Sequence, residues 1–276
     1  MQKQFNNAVV AITGAGSGIG RALATSLAKE GARLALSDVD EAGLLATQSQ
    51  CESSSSKVII DTVDVSKRSQ INQWVARVIE EFGSVNVVIN NAGVNLSASV
   101  EEMTQKDFEW VMDIDFWGVV NGCRAFLPHL KAAEWGHIVN VSSLFGLIGI
   151  PNQSAYNSAK FAVRGFSESL RMEMELEGAN VGVSCIHPGG VNTNIVNNAR
   201  FGAQIGKAHS VEKQKKFFAE KLAKTSPESA AADIIKGIKN DSPRVLVGND
   251  AKLLDVVQRV LPTYYQKLVL RTLAEK

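Results

Sequence analysis

A short apolar run, a glycine-rich turn and a helical pattern follow one another near the start of the chain, and this succession restricts the possible folds more than any other feature. The run covers 8–12, the turn is TGAGSGIG at 13–20, and the helical pattern covers 21–30. A continuous apolar run of this length predicts a strand buried on both faces of a parallel sheet. Glycines between such a strand and a helix let a phosphate approach the free amides at the helix N-terminus. The sequence therefore predicts a turn that binds a diphosphate.

The same alternation of apolar runs and helical patterns continues along the chain without an internal linker or repeat. It predicts a doubly wound α/β fold, with a parallel sheet of about seven strands and helices on both faces. One of the helices is predicted to be long, over 104–133. We expect one domain at 1–250 that binds the nucleotide and carries catalysis, with 251–276 as its helical C-terminal extension. The predicted strands cover 8–12, 33–37, 57–63, 85–89, 137–142, 181–186 and 244–247.

The composition of the 276 residues argues against several classes of function. Lys and Arg number 29 against 28 Asp and Glu, so no net field favours nucleic acid or a membrane surface. The three cysteines and four histidines lack metal-ligand spacing. We therefore predict no metal site, and reduced thiols in a cytoplasmic protein are the simpler interpretation of the cysteines. The polar start of the chain and the absence of a long apolar run predict neither a signal peptide nor a membrane-spanning helix.

A second stretch, SLFGLIGIPNQSAYNSAK at 143–160, contains three groups suited to acid–base chemistry. Tyr156 and Lys160 have the spacing that places two side chains on one helix face, about one turn apart. A phenol with its ordinary pKa of ~10 is a poor base at neutral pH, and a neighbouring ammonium favours the phenolate. Lowering the tyrosine pKa by three units requires about 4 kcal/mol, which a cation and a positive cofactor ring together can supply. Ser143 would hold a substrate oxygen beside the phenol. Taken alone, a tyrosine and a lysine at this spacing are also typical of a solvated helix surface.

Asp38 ends the second predicted strand and bears on the choice of cofactor. A carboxylate at this point accepts hydrogen bonds from the ribose diol of an adenosine and repels a 2′-phosphate. Ser17 and Val39, which flank the expected position of that phosphate, are not basic. The sequence therefore favours NAD over NADP. The alternative role of Asp38 is to cap the helix that starts near Glu41.

Six motifs, in this order along the chain, resemble those of the short-chain dehydrogenase/reductase family over roughly residues 6–250. They are TGAGSGIG at 13–20, Asp38, DV at 64–65, NNAG at 90–93, YNSAK at 156–160 and PGGVNT at 188–193. The resemblance implies a Rossmann-type fold and hydride transfer between C4 of a nicotinamide and a carbonyl or carbinol carbon. It also implies Tyr156 as catalytic acid/base, Ser143 as the donor that orients the carbonyl, and Lys160 as both a ribose ligand and a modifier of the tyrosine pKa.

The same motifs imply the contacts of the cofactor, with Thr193 holding the carboxamide of the nicotinamide. For the NNAG turn, the alternative is a tight turn closed by its own side-chain caps. The other predicted contacts are Gly14, Ser17, Gly18, Ile19, Gly20, Asp38, Asp64, Val65, Asn91, Ala92, Gly93, Tyr156, Lys160, Pro188, Gly189 and Val191.

One position departs from the family pattern. The family usually carries an asparagine on the long helix, where this chain has Asp115. That asparagine helps to seat a water between the lysine and solvent, and an aspartate keeps the backbone carbonyl but loses two side-chain donors. We place Asp115 in the catalytic set with Ser143, Tyr156 and Lys160. Its carboxylate either approaches Lys160 or points away, and we expect the second arrangement because the helix needs only one freed carbonyl there.

Two segments near the C-terminus allow more than one interpretation. Residues 251–273 are rich in apolar side chains. Three alternative arrangements would bury them: packing over the substrate pocket, contact with a second subunit, or association with a membrane surface. The first arrangement is expected, and membrane association is the least favoured. The polar residues 194–226 form a candidate lid over the substrate, and their five lysines indicate a solvated helix face. These lysines are Lys213, Lys215, Lys216, Lys221 and Lys224.

The leading hypothesis is an NAD-dependent alcohol dehydrogenase or ketone reductase that acts, as a homodimer or homotetramer, on an apolar small molecule. One alternative is an NADPH-dependent reductase of 3-oxoacyl thioesters, against which Asp38 argues. The other is a nucleotide-sensing binding protein without catalysis, a class that typically lacks the tyrosine or the lysine. An apolar substrate is inferred from the side chains around the catalytic stretch, which are Leu144, Phe145, Leu147, Ile148 and Ile150.

Overall fold

A computed structural model of the protein describes residues 3–52, 54, 57–202, 208–217, 220 and 222–274. The apolar runs of the sequence form strands, because a parallel sheet covered on both faces buries every side chain of such a run. In chain order the strands are β1 Val9–Thr13, β2 Arg33–Asp38, β3 Val58–Thr62, β4 Val87–Asn90, β5 Leu96–Ser97, β6 Gly136–Val141, β7 Val181–Pro188, β8 Arg200–Phe201 and β9 Arg244–Val247.

Helices connect most of these strands and turn an apolar stripe toward the sheet. A short 3₁₀ turn, Leu144–Gly146, follows β6. The α-helices are α1 Gly18–Lys29, α2 Glu41–Glu52, α3 Arg68–Phe82, α4 Gln105–Met112, α5 Gly118–Ala132, α6 Ser154–Leu176, α7 Ala208–Phe217, α8 Pro227–Lys239, α9 Asn249–Val260 and α10 Tyr265–Ala274.

The large sheet has seven parallel strands in the order β3-β2-β1-β4-β6-β7-β9. The strand order changes direction between β1 and β4, so the turns after these two strands diverge. In sheets of this kind the divergence opens a crevice at the carboxyl edge, where ligands bind. The predicted doubly wound fold with a seven-stranded parallel sheet is confirmed.

Two apolar layers hold the sheet in place, one on each face. On the first face, α1, α2 and α8 bury residues such as Leu27, Leu44 and Ile234. On the second face, α3, α5 and α6 bury Trp74 and Phe126, whose rings meet edge to face at 5.2 Å. Burial on both faces fixes the strands, and with them the positions of the turns that form the site.

The long helix predicted over 104–133 is divided in the structure. The α-helix α4 ends at Met112, a π-helical turn covers Asp113–Trp117, and α5 starts at Gly118. A π-helical turn contains an extra residue and is frequent at functional sites. It directs Asp115 into the interior, where the residue is 0% exposed. Sequence periodicity did not reveal this break, because α4 and α5 continue one helical path.

A small second sheet fastens part of the candidate lid. Strand β8 pairs with β5, which follows β4, and aligns Leu96 with Arg200. The Arg200 guanidinium lies 3.6 Å from the centroid of the Trp110 ring. The segment from 194 to 202 is therefore docked beside the crevice. Further along, three of the five lysines, Lys213, Lys216 and Lys224, are exposed as predicted, and Lys221 lies outside the described residues. Lys215 is half-buried and donates to the Asn197 carbonyl at 2.9 Å, so the prediction of a solvated face is wrong for this residue.

The C-terminal helices α9 and α10 pack against the 3₁₀ turn that follows β6. Leu254, Val257 and Tyr265 belong to the same apolar cluster as Leu144 and Ile148. The expectation that the C-terminal segment packs over the pocket is confirmed for the side chains of α9 and α10 that line the cavity, the last of which is Val269. Among the described residues, none of the helices combines the length and apolar character that crossing a bilayer requires.

Candidate active site

The catalytic stretch brings Ser143 and Tyr156 together across the connection from β6 to α6. The Ser143 hydroxyl oxygen accepts a hydrogen bond of 3.1 Å from the Phe145 amide at the start of the 3₁₀ turn. The same hydroxyl is close enough to the Tyr156 phenol to lower the phenol pKa. Lys160 lies one helical turn farther on, with its Nζ 5.5 Å from the centroid of the Tyr156 ring. Two segments of the fold thus place the three side chains in one group.

Two residues that sequence reasoning missed hold this connection in shape. The Asn157 side-chain amide donates to the carbonyls of Phe145 at 2.7 Å and Ile148 at 2.8 Å. The His187 Nδ1–H donates to the Ser143 carbonyl at 2.9 Å. Asn157 lies within the YNSAK motif, which is the signal that could have identified it. No local pattern marks His187, because β7 meets the catalytic turn only in the folded sheet.

Asp115 contacts Lys160 directly, and the expectation that its carboxylate points away is wrong. Its Oδ2 lies 3.1 Å from the Lys160 Nζ, and its Oδ1 accepts a hydrogen bond of 2.8 Å from the Val94 amide. Lys160 also donates to the Val141 carbonyl at 3.2 Å. The π-helical turn is the physical reason, since it rotates Asp115 inward toward the lysine. Buried groups of the protein interior, the Asp115 carboxylate and the Val141 carbonyl, thus hold the Lys160 ammonium.

Burial and neighbouring charges act in opposite directions on the ionisable groups of the site. Burial raises the pKa of the Tyr156 phenol, while the Lys160 ammonium lowers it, the Asp115 charge raises it and the Ser143 hydrogen bond lowers it. The pKa of Tyr156 lies above its ordinary value as a result. Burial opposes the charged form of Lys160, but the Asp115 carboxylate and Tyr156 raise the lysine pKa above its ordinary value. Burial likewise raises the pKa of Asp115, against the effect of Lys160. The cation alone therefore does not produce the depression of the tyrosine pKa predicted from the sequence.

The glycine turn after β1 forms a cradle that side chains would fill. Gly14 has a φ of +65°, and a Cβ there would lie 2.8 Å from the Ala92 Cα. Gly18 has a φ of +52°, and its Cβ would lie 3.1 Å from the Thr193 Cγ2. This backbone geometry and the missing side chains leave room for a diphosphate at the N-terminus of α1. The residues present therefore fit a dinucleotide.

Asp38 stands at the adenosine end of this cradle. Its Oδ2 accepts a hydrogen bond of 2.8 Å from the Gly16 amide, and its Oδ1 accepts one of 3.1 Å from the Asp40 amide. A carboxylate has further lone pairs that remain available to a diol. The capping alternative does not hold, since the Asp40 carboxylate bonds the Gly43 amide in the first turn of α2, at 3.1 Å.

The NNAG turn closes against the glycine turn. The amides of Asn91 and Ala92 both donate to the Thr13 hydroxyl at 3.0 Å, and the Asn91 side chain donates to the carbonyls of Thr13 at 3.0 Å and Gly14 at 3.1 Å. The side-chain cap considered as an alternative is thus present, on a turn that also faces the crevice. Gly93 lies beside the ion pair, where a Cβ would come 3.4 Å from the Lys160 Nζ.

A cavity of about 760 Å³ joins these parts. Its size is in the upper range of small-molecule sites, which run from ~300 to 1,000 Å³. Asp115 lies behind the cavity wall. Gly20 also lies behind it, and a Cβ there would meet the Gly14 carbonyl oxygen, so its predicted cofactor contact is replaced by a packing role. The other predicted residues line the cavity: Gly14, Ser17, Gly18, Ile19, Asp38, Asp64, Val65, Asn91, Ala92, Gly93, Ser143, Tyr156, Lys160, Pro188, Gly189, Val191 and Thr193.

Beyond the catalytic group, the cavity continues between apolar walls. One wall is formed by the catalytic connection, with Phe145 and Ile150, and another by Ile195 and Val196 after the PGGVNT motif. The third comes from α9 and α10. Lys160 is the sole basic side chain among the described residues that line the cavity. The chemistry of this end suits an uncharged, apolar group.

The chain is similar to known proteins over nearly its whole length. The model of the family described as short chain dehydrogenase matches residues 8–203. SadH of Mycobacterium tuberculosis, a proposed oxidoreductase, is 47% identical over 265 residues, which are 96% of this chain and 95% of that protein.

Two solved structures agree with the fold described above. A short-chain dehydrogenase/reductase from Burkholderia phymatum, in complex with NAD, is 28% identical with a TM-score of 0.85, covering 98% of this chain and 96% of that one. Levodione reductase is 29% identical with a TM-score of 0.79, covering 90% of this chain and 99% of that one.

Proposed function

The chain belongs to the short-chain dehydrogenase family, and we propose that it transfers a hydride between NAD(H) and an apolar secondary alcohol or the corresponding ketone. The observation that carries the proposal is the group formed by Ser143, Tyr156 and Lys160 in the lining of a cavity that continues beyond them between apolar walls. A purely nucleotide-sensing protein has no need for a buried phenol held by a hydroxyl and a lysine.

In ketone reduction, the Tyr156 phenol gives its proton to the carbonyl oxygen as the carbonyl carbon is reduced. The Ser143 hydroxyl donates a hydrogen bond to the same oxygen and keeps it beside the phenol. Lys160 stabilises the phenolate that remains, and Asp115 holds the ammonium in position from behind. Alcohol oxidation uses the same groups in reverse, with the phenolate taking the proton. The nicotinamide supplies or accepts the hydride at its C4.

The choice of NAD follows from the adenosine end of the cavity. The residues that line it beside Asp38 are Val39 and Asp40, so a 2′-phosphate would meet two carboxylates, and none of the described residues adds a basic side chain to the cavity lining there. This also disfavours the NADPH-dependent thioester reductase. Asp38→Ala is expected to lower kcat/KM with NAD and to narrow its ratio to kcat/KM with NADP. A wild-type preference for NADP at matched concentrations would contradict the assignment.

Residues 1–250 and 251–276 act as one domain, because the buried Asp255 of α9 bonds Arg244 of β9 at 3.2 Å. The exposed rings of Trp117 and Phe161, at 49% and 41%, would be covered in a homodimer or homotetramer. Light scattering after gel filtration tests the assembly. The cysteines are buried free thiols, consistent with a cytoplasmic location; they are Cys51, Cys123 and Cys185.

The decisive test is a screen of secondary alcohols and ketones that differ in size and polarity, followed by NADH absorbance. Turnover of uncharged apolar members, with little turnover of charged members of equal length, is expected. Turnover restricted to acyl thioesters would favour the thioester reductase instead. Binding of NADH without turnover of any member would favour the sensing role.

A further inference from the structure

Tyr265, the first residue of α10, is attached to the catalytic connection. It is 8% exposed, whereas the adjacent Tyr264 is 46% exposed. Its hydroxyl oxygen accepts a hydrogen bond of 2.9 Å from the Gly149 amide. Gly149 lies in the connection that separates Ser143 from Tyr156. The hydroxyl therefore joins the C-terminal segment to the stretch that carries both catalytic oxygens.

The ring of Tyr265 strengthens this attachment. It is buried in one cluster with Leu144, Leu147 and Ile148, which are 6%, 1% and 1% exposed. Gly149 itself is exposed, so its amide would be open to water without the phenol oxygen above it. A buried ring with its hydroxyl on a backbone donor is the arrangement in which tyrosine fixes two segments to each other. The buried ring and the hydrogen bond to Gly149 together hold the start of α10 against the catalytic connection.

From this attachment, α10 contributes to the lining of the substrate cavity. Leu268 and Val269, one turn after Tyr265, line the cavity together with Leu254 and Val257 of α9. All four side chains are apolar. A substrate whose reacting carbon lies at Tyr156 would therefore extend its other end along a hydrocarbon wall, and the position of that wall depends on where α10 is held.

We infer that Tyr265 is a specificity-determining residue, which fixes α10 as the apolar end wall and so selects secondary alcohols and ketones with an extended, uncharged hydrocarbon chain. The inference rests on the proposed function for its reaction, but the contact between Tyr265 and Gly149 is independent of it. Each methylene buried against the wall is expected to raise kcat/KM about three- to four-fold until the cavity is filled.

The first experiment measures hydrogen exchange of the Gly149 amide, in a comparison that needs no substrate. Tyr265→Phe removes only the hydroxyl, and Tyr264→Phe is the matched control on the neighbouring exposed ring. Exchange at Gly149 is expected to become about two- to ten-fold faster in Tyr265→Phe, the change that corresponds to the loss of one protecting hydrogen bond. It is expected to stay unchanged in Tyr264→Phe. Equal exchange in Tyr265→Phe and wild type would overturn the proposed attachment.

The second experiment measures kcat/KM for straight-chain 2-alkanols of increasing length with NAD. In Tyr265→Ala the increase per methylene is expected to flatten, through a higher KM for the long alcohols, while the short alcohols keep their kcat. Val269→Trp leaves the attachment intact and moves the wall inward, so it is expected to reject the long alcohols and keep the short ones. If Tyr265→Ala does not fold, this second variant still tests the wall, and Tyr265→Phe, measured on the same alcohols, tests whether Tyr265 fixes it. An unchanged dependence on chain length in the folded variants would overturn the role in specificity.

The two proposals fail in different ways. If wild-type protein oxidises none of the alcohols, the proposed function fails, and the Gly149 exchange still reports on the attachment. The specificity is then read from the thermal unfolding midpoint with each 2-alkanone. Long ketones are expected to raise the midpoint of wild type more than that of Val269→Trp. Equal shifts in the two proteins would overturn the end-wall assignment without reference to turnover.

Discussion

Strand β6 has a lysine–carboxylate cluster near each of its ends, and the two clusters have different roles. At the carboxyl end, Lys160 lies 3.1 Å from Asp115 and bonds the carbonyl of Val141. At the amino end, Lys3 lies 2.9 Å from Asp241 and 2.6 Å from the Nδ1 of His137. The first cluster faces the cavity through Lys160, whereas His137 at the second is 0% exposed.

The amino-end cluster has the outline of a Ser–His–Asp triad. The His137 Nε2 lies 2.8 Å from the Ser184 hydroxyl, and the Nδ1 lies 3.4 Å from Asp241. An ammonium can only donate, so Lys3 requires the Nδ1 to accept, and the proton sits on Nε2. Ser184 in turn donates to the Ser242 carbonyl at 2.6 Å. No lone pair of the imidazole is left to take a proton from the serine.

The comparison teaches that residue type and spacing do not make a site by themselves. Burial of His137, together with the charges of Lys3 and Arg171, lowers its pKa to about 3, against the effect of Asp241, so the ring is neutral at physiological pH. The amino-end cluster therefore joins the N-terminal segment to the sheet. At the other end, the same residue types meet a cavity, and the proton of Tyr156 can reach a substrate.

Replacing the phenol at the carboxyl end has the largest expected effect. Tyr156→Phe is expected to reduce turnover by about 10²–10⁴-fold, the range that positioned acid–base catalysis contributes. NADH affinity is expected to stay within a few-fold, because the glycine turn, Asp38 and Lys160 remain. Tyr264→Phe, on an exposed ring, serves as control. A variant that keeps a tenth or more of the turnover would contradict the role of Tyr156.

Replacing the imidazole at the amino end is expected to change stability and leave turnover intact. With a pKa of about 3 in the folded protein, His137 stays neutral while the unfolded chain takes up a proton below pH ~6.5. Wild type is thus expected to lose ~1.4 kcal/mol of unfolding free energy per pH unit below that point through this residue. His137→Gln removes this contribution. Urea unfolding at about pH 7 and about pH 5 gives the difference, and equal losses in both proteins would contradict it.

Ser184→Ala tests whether the amino-end cluster has any nucleophilic role. The variant leaves the His137 Nε2–H without its acceptor, which is expected to cost about 1–2 kcal/mol of unfolding free energy. Turnover of the alcohol substrates by Ser184→Ala is expected to equal that of wild type. Wild type is also expected to resist a fluorophosphonate probe of serine nucleophiles. Labelling of wild type that disappears in Ser184→Ala would show that the cluster is reactive after all.

Asp115→Asn, which restores the usual family residue, has the smallest expected effect. The Asp115 charge raises the Tyr156 pKa, so the neutral amide is expected to lower it. In ketone reduction the phenol must be protonated, and the basic limb of the pH profile is therefore expected to move to lower pH by about half a unit or more. Asp113→Asn, exposed on the same π-helical turn, is the control. An unmoved limb, with the fold intact by circular dichroism, would make the carboxylate a bystander.

Much of the fold and the catalytic group could be predicted because the information is local. Apolar runs and glycine turns report the strands and the crevice, and the spacing of Tyr156 and Lys160 places them on one helix face wherever the helix lies. The long helix over 104–133 shows the limit of such reasoning. Its periodicity does not contain the π-helical turn that rotates Asp115, and so the carboxylate was predicted on the wrong side.

The sequence by itself determined the doubly wound sheet, the catalytic trio and the glycine cradle, because each depends on residues that are close along the chain or on the edge where parallel strands must end. The tertiary structure alone decided three other matters. It joined Tyr265 to Gly149 across 116 positions, brought His187 to the Ser143 carbonyl, and gave Lys3 the Nδ1 of His137. These contacts depend on where whole elements pack, and packing is set by the burial of many side chains together, which no local pattern records.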